Sequence, residues 1–355
     1  MTGRVILYGA SGYTGRLIAA QLDELDDLVL AGRDAAKVQA VAGPLGREWI
    51  AFDLSDPEEN AAALAGAAIL LNAAGPFDRT AGPLIDACLA TGTHYLDLGG
   101  EWPVFIDIMG RDAEARAADV MVLPGAGLTI AATDCLLLRA KELWPDTVQL
   151  DLGISRAQVV SRGSATSMAS LVAPTALVCR GGRLEEVPSG SLAKAFDFGE
   201  GMSEGVAMSW ADVVTGTFTT GVPDITVYNE MRWHERATYR GTGLGMGFTG
   251  RNAFRAVGGM MAKRMRQGPS EAKRSPARFS MVVEALDPWR RPKWLRLETL
   301  DGYGASARIA EEVVRRVLAG ESEAGFTTPA RLFGSSLVES SGAGAFLPMT
   351  GRSAA

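Results

Sequence analysis

The chain has few of the residues on which metal sites, disulfide frameworks and many hydrolytic sites depend. Its 355 residues include 2 histidines and 3 cysteines, and Cys88, Cys135 and Cys179 lie far apart in the sequence. An odd number of widely spaced cysteines indicates neither a disulfide framework nor a cysteine metal cluster. The two histidines, His94 and His234, give little support to a zinc site or to a Ser-His-Asp hydrolase. We therefore expect no metal site.

Positive charge and long apolar runs are also scarce. Lysine and arginine number 35 against 41 aspartates and glutamates, a net charge of −6, so we expect no nucleic-acid partner. No run of about 18 uncharged apolar residues is present, and stable membrane insertion is not expected. The first predicted strand begins within ten residues of Met1, which leaves no room for a signal peptide and makes the cytoplasm the expected location.

One stretch departs from this acidic balance. Residues 251–273 carry six lysines and arginines with three methionines among them. A basic amphipathic segment of this kind binds an anionic ligand, a carrier protein or a membrane surface. The alternative is a surface helix or loop with an ordinary solvated face. A peripheral membrane contact therefore stays open.

Residues 5–15 are the most informative part of the chain. The apolar run Val5–Tyr8 predicts a buried strand, and Gly9-x-x-Gly12-x-x-Gly15 with an amphipathic segment follows it. Strand, glycine turn and helix in this order predict the pyrophosphate site of a dinucleotide-binding fold. Gly9 permits the tight turn, Gly12 lets the backbone approach phosphate, and Gly15 lets the helix pack closely on the strand. The predicted cofactor-binding residues here are Gly9, Ser11, Gly12, Tyr13, Thr14 and Gly15.

The end of the second predicted strand, Leu28–Ala31, indicates which dinucleotide binds. Sites that prefer NAD place an acidic residue here, but this chain has Gly32 followed by Arg33. A guanidinium pairs with the 2′-phosphate of NADP, which a carboxylate would repel. Asp34 suits the N-cap of the next helix, and Lys37 adds a second cation one turn later. We therefore predict NADP(H) as the cofactor.

Two further strand ends complete the predicted cofactor site. Trp49–Phe52 ends at Asp53, whose carboxylate either accepts a hydrogen bond from the adenine amino group or caps the helix near Pro57. The fourth strand, Ala67–Leu71, is followed by small residues that let a cofactor lie over the strand end. The cofactor-binding residues predicted after this strand are Asn72, Ala74, Gly75 and Pro76.

The order of predicted elements defines the fold class as α/β. Strands alternate with helices over about 125 residues, which predicts an amino-terminal Rossmann domain with a doubly wound parallel sheet. Polar and apolar residues then alternate over Val148–Ile154, and strands are predicted at Ile225–Tyr228, Phe279–Ala285 and Trp294–Thr299. This pattern predicts a second α/β domain built on a mixed sheet.

The predicted domain boundaries follow from this change of pattern. We predict a dinucleotide-binding domain over 1–128, a substrate and dimerisation domain over 129–304, and a segment over 305–340 that packs back on the first domain. Residues 196–250 are predicted to be rich in loops, with room for a lid, and 241–247 to form a mobile or closely packed loop. The small-residue tail after Ser340 is predicted to be weakly ordered.

Several of these motifs together resemble the saccharopine dehydrogenase-like oxidoreductases, a family that includes trans-acting enoyl reductases. The segments that carry the resemblance are Gly9–Gly15, Ala31–Arg33, Asn72–Pro76, Gly92–Glu101, Pro124–Gly127 and Gly325–Ala330. The resemblance covers the first 140 residues well and the middle of the chain only loosely. It implies a Rossmann domain, a second domain with a mixed sheet, NADP(H) use and a homodimer. Members reduce C=N bonds in some cases and C=C bonds in others.

Candidate catalytic residues lie after the later strands. Asp97 lies near the carboxyl end of the fifth predicted strand, Tyr95–Leu98, and Glu101 follows that strand. A carboxylate at this place can position a substrate amine or relay a proton. In the alternative interpretation Asp97 bonds the backbone of its turn and Glu101 caps a helix. Ser164 and Thr166 lie in a hydroxyl-rich segment that can bind a carbonyl oxygen like an oxyanion hole, or can simply cap a helix.

The sequence therefore predicts an NADPH-dependent reductase that acts on an activated C=C or C=N bond. A fairly apolar small-molecule substrate is expected because the second half of the chain carries several tryptophans and methionines. The alternative is a non-catalytic NADP(H) sensor or lipid- or carrier-associated protein, supported by the basic stretch at 251–273 alone.

Overall fold

The computed structural model describes residues 3–161, 173, 175–245 and 267–349. The chain forms two compact units. Residues 1–131 and 303–343 make up the first unit, and residues 132–302 and 344–355 belong to the second. Each unit is built around its own β-sheet. In the described part of the chain, no helix is both long and apolar enough to cross a membrane.

The first unit alternates strands and helices. Its elements up to the boundary are β1 (Arg4–Tyr8), α1 (Tyr13–Gln21), β2 (Leu28–Gly32), α2 (Ala35–Leu45), β3 (Glu48–Ala51), α3 (Pro57–Leu64), β4 (Ala67–Asn72), α4 (Phe77–Thr91), β5 (His94–Asp97), α5 (Trp102–Met109), α6 (Asp112–Ala117) and β6 (Met121–Leu123). A π-helical turn, Leu128–Ala132, precedes the second unit.

The seven strands of the first sheet are all parallel and lie in the order β15-β6-β5-β4-β1-β2-β3, where β15 is Gly325–Phe326. Every residue of β2 is buried, as expected of a strand covered by helices on both faces. This sheet confirms the predicted Rossmann fold. The strand ends differ from the predicted ones by one or two residues; the fourth strand, for example, extends to Asn72.

Acidic N-caps fix where two of these helices begin. The Asp34 side chain accepts a hydrogen bond from the Lys37 N–H at the start of α2, as predicted. Asp56 accepts from the N–H groups of Glu58 and Glu59 at the start of α3. The suggestion that Asp53 caps α3 is therefore wrong, because Asp56 stands directly before Pro57 at the first helical position.

The second unit contains nine of the strands. Its described elements are α7 (Thr133–Leu143), β7 (Gln149–Ile154), β8 (Thr175–Arg180), β9 (Arg183–Pro188), β10 (Ala193–Asp197), β11 (Met202–Ala207), α8 (Asp212–Thr220), β12 (Asp224–Glu230), α9 (Trp233–Gly245), α10 (Glu271–Arg274), β13 (Phe279–Leu286), β14 (Pro292–Thr299) and β16 (Gly344–Pro348). Strands β7 and β12 run parallel, and the other pairs are antiparallel. The predicted mixed sheet is confirmed.

Strand β10 sends two side chains across one face of this sheet. The Phe196 ring packs so close to Gly153 that an added Cβ would lie 2.6 Å from it. Lys194 forms ion pairs with Asp151, at 2.5 Å, and with Glu284. Burial raises the pKa of Glu284 while Lys194 opposes that rise. Lys194 thus neutralises charge on two buried carboxylates. Removal of Lys194 would leave both carboxylates buried without this cation, which is destabilising.

A second group of buried acids lies between α7 and α8. Asp134 and Asp212 are fully buried, and the Thr219 hydroxyl donates to Asp134 at 2.6 Å. Burial raises the pKa of Asp212 to about 7, and the neighbouring Asp134 carboxylate adds to the rise. Asp212 is therefore protonated in about half of the molecules at pH 7 and in most of them at pH 6.

Two predictions about the second half of the chain are wrong. The stretch 196–250, predicted to be rich in loops, contains β11, α8 and α9 in addition to β12, which matches the strand predicted at Ile225–Tyr228. Helix α9 continues through 245 of the predicted glycine-rich loop 241–247, and residues 246–250 lie outside the described ones. In the tail after Ser340, predicted to be weakly ordered, residues 344–348 form β16 and pair with β14, whereas residues 350–355 lie outside the described ones. This pairing satisfies an otherwise open strand edge.

After β14 the chain returns to the first unit through α11 (Gly302–Leu318). The helices α12 (Pro329–Phe333) and α13 (Leu337–Ser340) follow β15. The Ser306 hydroxyl accepts the Leu128 N–H at 3.0 Å, which joins α11 to the π-helical turn.

Candidate functional site: a dinucleotide cleft at the carboxyl ends of a parallel sheet

The sheet order places a switch point between β1 and β4. From β1 the chain moves to β2 on one side, whereas β4, which begins the second half of the sheet, lies on the other side. At such a point in an open α/β sheet, the connections that leave the two neighbouring strands run in opposite directions. The crevice between these connections, at the carboxyl ends of the strands, is the usual ligand site. The glycine turn after β1 and the loop after β4 both lie at this point.

Two glycines of the turn, Gly9 and Gly15, leave no room for a side chain. Gly9 has φ +88°, and a Cβ there would lie 2.7 Å from the Ala74 backbone nitrogen. A Cβ on Gly15 would lie 2.3 Å from the Gly9 carbonyl oxygen, so glycine lets α1 pack directly on the turn. Gly12 is the N-cap of α1 and has no side chain with which to cap the first helical turn. A phosphate anion fits this positive helix end.

The loop after β4 is held by a buried amide. Asn72 is fully buried, and its Oδ1 accepts the Ala74 N–H at 3.0 Å. Its Nδ2 donates to the Thr80 hydroxyl at 3.0 Å. That hydroxyl in turn donates to the Ala74 carbonyl at 2.8 Å. Asn72 therefore shapes the predicted cofactor loop from inside, whereas Gly75 and Pro76 are exposed at its tip.

The hydrogen bonds of Asn72 continue into the next two loops. Its Nδ2 also donates to the Tyr95 hydroxyl at 3.2 Å, and that hydroxyl donates to Oδ2 of Asp97 at 2.8 Å. The other oxygen of Asp97 accepts the N–H groups of Gly99, at 2.8 Å, and of Gly125, at 2.9 Å. We call this set of four side chains the polar network; its members are Asn72, Thr80, Tyr95 and Asp97.

Charged groups gather at the other end of the predicted cofactor site. Arg33 is exposed directly after β2, and its charge acts on Tyr8 and Asp53. Lys37, predicted as a second cation, pairs with Asp34 at 2.6 Å. The pKa of Asp53 lies below its ordinary value, mainly because it accepts a hydrogen bond from Ser55 and to a smaller extent because Arg33 is near. Arg33 is therefore well placed to meet a 2′-phosphate.

The remaining residues predicted for the glycine turn are half-buried. Ser11, Tyr13 and Thr14 lie at or just beyond the Gly12 N-cap. The Tyr13 ring meets Tyr303 of α11 edge to face, with ring centroids 5.0 Å apart. Tyr13 thus joins the start of α1 to the returning helix, an arrangement worth about 1 kcal/mol for an aromatic pair.

The predicted catalytic residues have different surroundings. Asp97 is fully buried, and its contacts favour the interpretation that it bonds the backbone of its turn. Glu101 is half-buried at the N-cap of α5, and its Oε2 accepts the Gly100 N–H at 3.0 Å. Ser164 and Thr166 lie outside the described residues.

Sequence reasoning assigned no functional role to Tyr95 or Thr80, which the structure places in the polar network. Tyr95 looks like an ordinary core residue because its ring is fully buried. The sequence feature that could have indicated this network is a spacing of two residues. Tyr95 and Asp97 lie on the same side of β5, and Asp97 is the register partner of Asn72 at the end of β4. Three polar residues on one buried sheet edge need hydrogen-bond partners.

The glycine turn, the switch point and the cation after β2 define the first unit as a dinucleotide-binding Rossmann domain. Residues 5–123 match the family model described as saccharopine dehydrogenase NADP binding domain. This match, over about the first third of the chain, confirms the predicted resemblance for this part and confirms NADP(H) as the cofactor.

Relatives with the same printed name match over a similar span. A trans-acting enoyl reductase of Mycobacterium leprae (strain TN) is 35% identical over 132 residues, 34% of this chain and 32% of that protein. A trans-acting enoyl reductase of Mycobacterium tuberculosis is 37% identical over 132 residues, with the same shares. The chain thus aligns with about a third of the length of the curated relatives it matches.

Two solved structures share the fold along the whole chain. Apo saccharopine dehydrogenase (L-Glu forming) from Saccharomyces cerevisiae has a TM-score of 0.65 at 12% identity, covering 97% of this chain and 99% of its own. Homospermidine synthase from Legionella pneumophila, in complex with NAD, has a TM-score of 0.65 at 10% identity, covering 100% and 94%. At these identities the likeness concerns the fold alone.

Proposed function

We propose that the protein is an NADPH-dependent reductase that transfers hydride to an activated double bond. The acceptor is the C=C bond of an enone or enoyl group, or the C=N bond of an imine, in a fairly apolar small molecule. The match of residues 5–123 to an NADP binding domain carries this proposal. The relatives named trans-acting enoyl reductase favour the C=C bond.

The first unit supplies what a reductase needs from its cofactor domain. When bound, NADPH supplies the hydride, so the protein has to bind, orient and shield rather than form covalent bonds. The amino end of α1 at Gly12 holds the pyrophosphate, and Arg33 holds the 2′-phosphate. The loop that Asn72 shapes lies beside this turn, since a Cβ on Gly9 would meet Ala74.

Glu101 is our candidate for contact with the substrate. It lies after β5, on the nicotinamide half of a Rossmann sheet, and its side chain is half-buried rather than enclosed. A carboxylate there orients the substrate or handles the proton that completes the reduction. For Ser164 and Thr166 the proposed contact with a substrate carbonyl rests on the sequence.

The proposal is tested with purified protein, NADPH and panels of enones and cyclic imines. We expect NADPH oxidation with one panel, and NADPH deuterated at the transferred position should place one deuterium on carbon in the product. Activity with enones alone would assign the C=C bond. Silence with both panels, despite NADPH binding, would overturn the reductase and favour the non-catalytic NADP(H)-sensing or lipid-associated alternative.

A matched pair of variants tests Glu101. We expect Glu101→Gln to lower kcat at least about tenfold with little change in NADPH affinity, since general acid–base groups contribute about a hundredfold or more. Asp107→Asn, an exposed carboxylate on the same helix, should leave both quantities unchanged. Equal kcat values in the two variants would remove Glu101 from the mechanism.

We also propose that the protein is a homodimer and that it is located in the cytoplasm.

A further inference from the structure

The polar network joins three loops that start at neighbouring strand ends. Its contacts reach the Ala74 backbone after β4, the Gly99 N–H after β5 and the Gly125 N–H after β6. These loops belong to three consecutive strands, β4, β5 and β6. The side chains of Asn72 and Asp97 link these loops, together with a backbone hydrogen bond from the Ala126 N–H to the Asp97 carbonyl at 2.6 Å.

Asp97 is the one member of the network that can carry a charge at neutral pH. It accepts three hydrogen bonds, from the Tyr95 hydroxyl and the N–H groups of Gly99 and Gly125. An ionised carboxylate can accept all three, and bonds to a charged acceptor are about twice as strong as neutral ones. A protonated carboxyl becomes a donor on one oxygen, where the Tyr95 hydroxyl already donates.

We propose that Asp97 is a positioning residue for NADPH: its ionised side chain holds the three loops in the arrangement that binds the cofactor, and its protonation weakens NADPH binding. The proposal rests on the proposed cofactor site and assigns Asp97 no contact with substrate. It explains why a carboxylate is fully buried at this strand end without a cationic partner among its described contacts.

The pKa of Asp97 falls in a pH range in which NADPH binding can be measured. Burial raises the pKa of Asp97 to about 6, although the N–H groups of Gly125 and Gly99 and the Tyr95 hydroxyl oppose the rise. The groups that act on its charge are Tyr95 on β5 and Glu101 at the start of α5, and Glu101 adds to the rise. The neighbours from β4 and from the loop after β6 are a neutral amide and backbone. NADPH affinity should therefore fall as the pH decreases through about 6.

The experiment compares NADPH dissociation constants by calorimetry for wild type and Asp97→Asn between pH 5 and 8. The 2′-phosphate of NADPH also titrates near pH 6, as phosphate monoesters do, but the ratio of the two constants at each pH cancels that titration. We expect Asp97→Asn to bind NADPH about tenfold more weakly at pH 8, the size of one charge-assisted hydrogen bond. The ratio should approach one at pH 5.

Tyr95→Phe provides a second variant in case Asp97→Asn does not fold. It removes a hydroxyl that stabilises the ionised carboxylate, so the midpoint of the pH dependence should move upward from its wild-type value. Thr93→Val is the matched control. Thr93 is also fully buried, but its hydroxyl donates to the Ala67 carbonyl at the opposite end of the sheet, so the variant should lose stability and keep the wild-type NADPH affinity.

Two outcomes would overturn the proposal. One is a ratio of dissociation constants that does not change with pH, together with an unmoved midpoint in Tyr95→Phe. The other is an equal loss of NADPH affinity in Thr93→Val, which would make the effect one of general stability. Failure of the proposed reductase activity is a separate result, because binding is measured without substrate.

Discussion

Alanine in place of Gly15 should mainly lower the stability of the fold, whereas alanine in place of Gly12, in the same turn, should mainly weaken NADPH binding. Gly15→Ala places a Cβ 2.3 Å from the Gly9 carbonyl oxygen and 3.0 Å from the Ala10 Cα. Both contacts are with backbone, so no side chain can swing away. Gly12→Ala places its Cβ 3.1 Å from the same carbonyl, and Gly12 has φ −69°, which alanine also adopts.

The sizes of the two effects follow from these distances. To restore ordinary contact, Gly15→Ala must move α1 away from β1 by about an ångström. Overpacking of this kind costs about 3 kcal/mol at the upper end, and alanine returns about 1 kcal/mol of helix propensity. The expected net loss is about 2 kcal/mol. Gly12→Ala needs a shift of a few tenths of an ångström and should cost below about 1 kcal/mol, but its Cβ enters the space intended for pyrophosphate.

Urea unfolding and NADPH calorimetry separate the two cases. Gly12→Ala should retain its stability and lose about tenfold or more in NADPH affinity, whereas Gly15→Ala should lose stability first. Ala20→Gly, at an exposed position of α1, is the control: it weakens the helix by about 1 kcal/mol without touching the turn. Normal NADPH affinity in Gly12→Ala would refute the assignment of this turn to the pyrophosphate.

Three other changes have expected outcomes. Arg33→Asp should weaken NADPH binding about a hundredfold and NADH binding far less, because it sets a carboxylate against the 2′-phosphate; equal losses would contradict that role. Lys194→Met should cost about 3 kcal/mol at pH 8 and less at pH 5, where the Glu284 carboxylate, whose pKa burial raises, takes up a proton. In Lys141→Met, which removes an ammonium whose described bonds go to two carbonyls, the cost should be below about 1 kcal/mol. Similar losses in unfolding experiments would argue against the buried ion pairs. The raised pKa of Asp212, about 7, means that the protonated carboxyl's contribution to stability is fully present at low pH and is lost as the pH rises through about 7. At pH 8, Asp212→Asn should therefore be more stable than wild type by up to about 4 kcal/mol in denaturant unfolding, and a less stable variant would refute this sign.

The parallel sheet was predictable from the chain because each of its elements carries a local signal. Buried runs such as β2 are apolar throughout, and turns between them carry glycine or an acidic N-cap such as Asp34. These signals depend on residues within one turn or one strand of each other. The glycine turn could be assigned a ligand class for the same reason.

Elements of the second unit were missed where tertiary packing outweighs local preference. Helix α8, Asp212–Thr220, consists largely of threonine, valine and glycine, which are poor helix formers. It is helical because it packs on α7 and on β12, and an isolated peptide of nine residues would not be. Strand β16 likewise owes its order to pairing with β14, which no pattern within the tail could indicate.

The residues of the candidate site also divide into those that a local sequence pattern identifies and those that only tertiary contacts identify. Arg33 and the three glycines were found from spacing, but the polar network joins residues up to 53 positions apart, from Asn72 to Gly125. Sequence periodicity reports which residues face inward, not which buried polar groups meet. The choice between a catalytic and a structural Asp97 therefore required the contacts of both of its oxygens.

Strand β5 shows how position on a parallel strand separates the two kinds of buried polar residue. At its amino end His94 accepts the Met121 N–H at 3.1 Å, a contact with the neighbouring strand alone. At its carboxyl end, three residues later, Asp97 binds the N–H groups of two loops. Ligands of α/β sheets bind at the carboxyl ends, so a substitution of His94 should change stability alone, whereas one of Asp97 should also change what the loops bind. The direction of the strand, more than the type of residue, assigns the role.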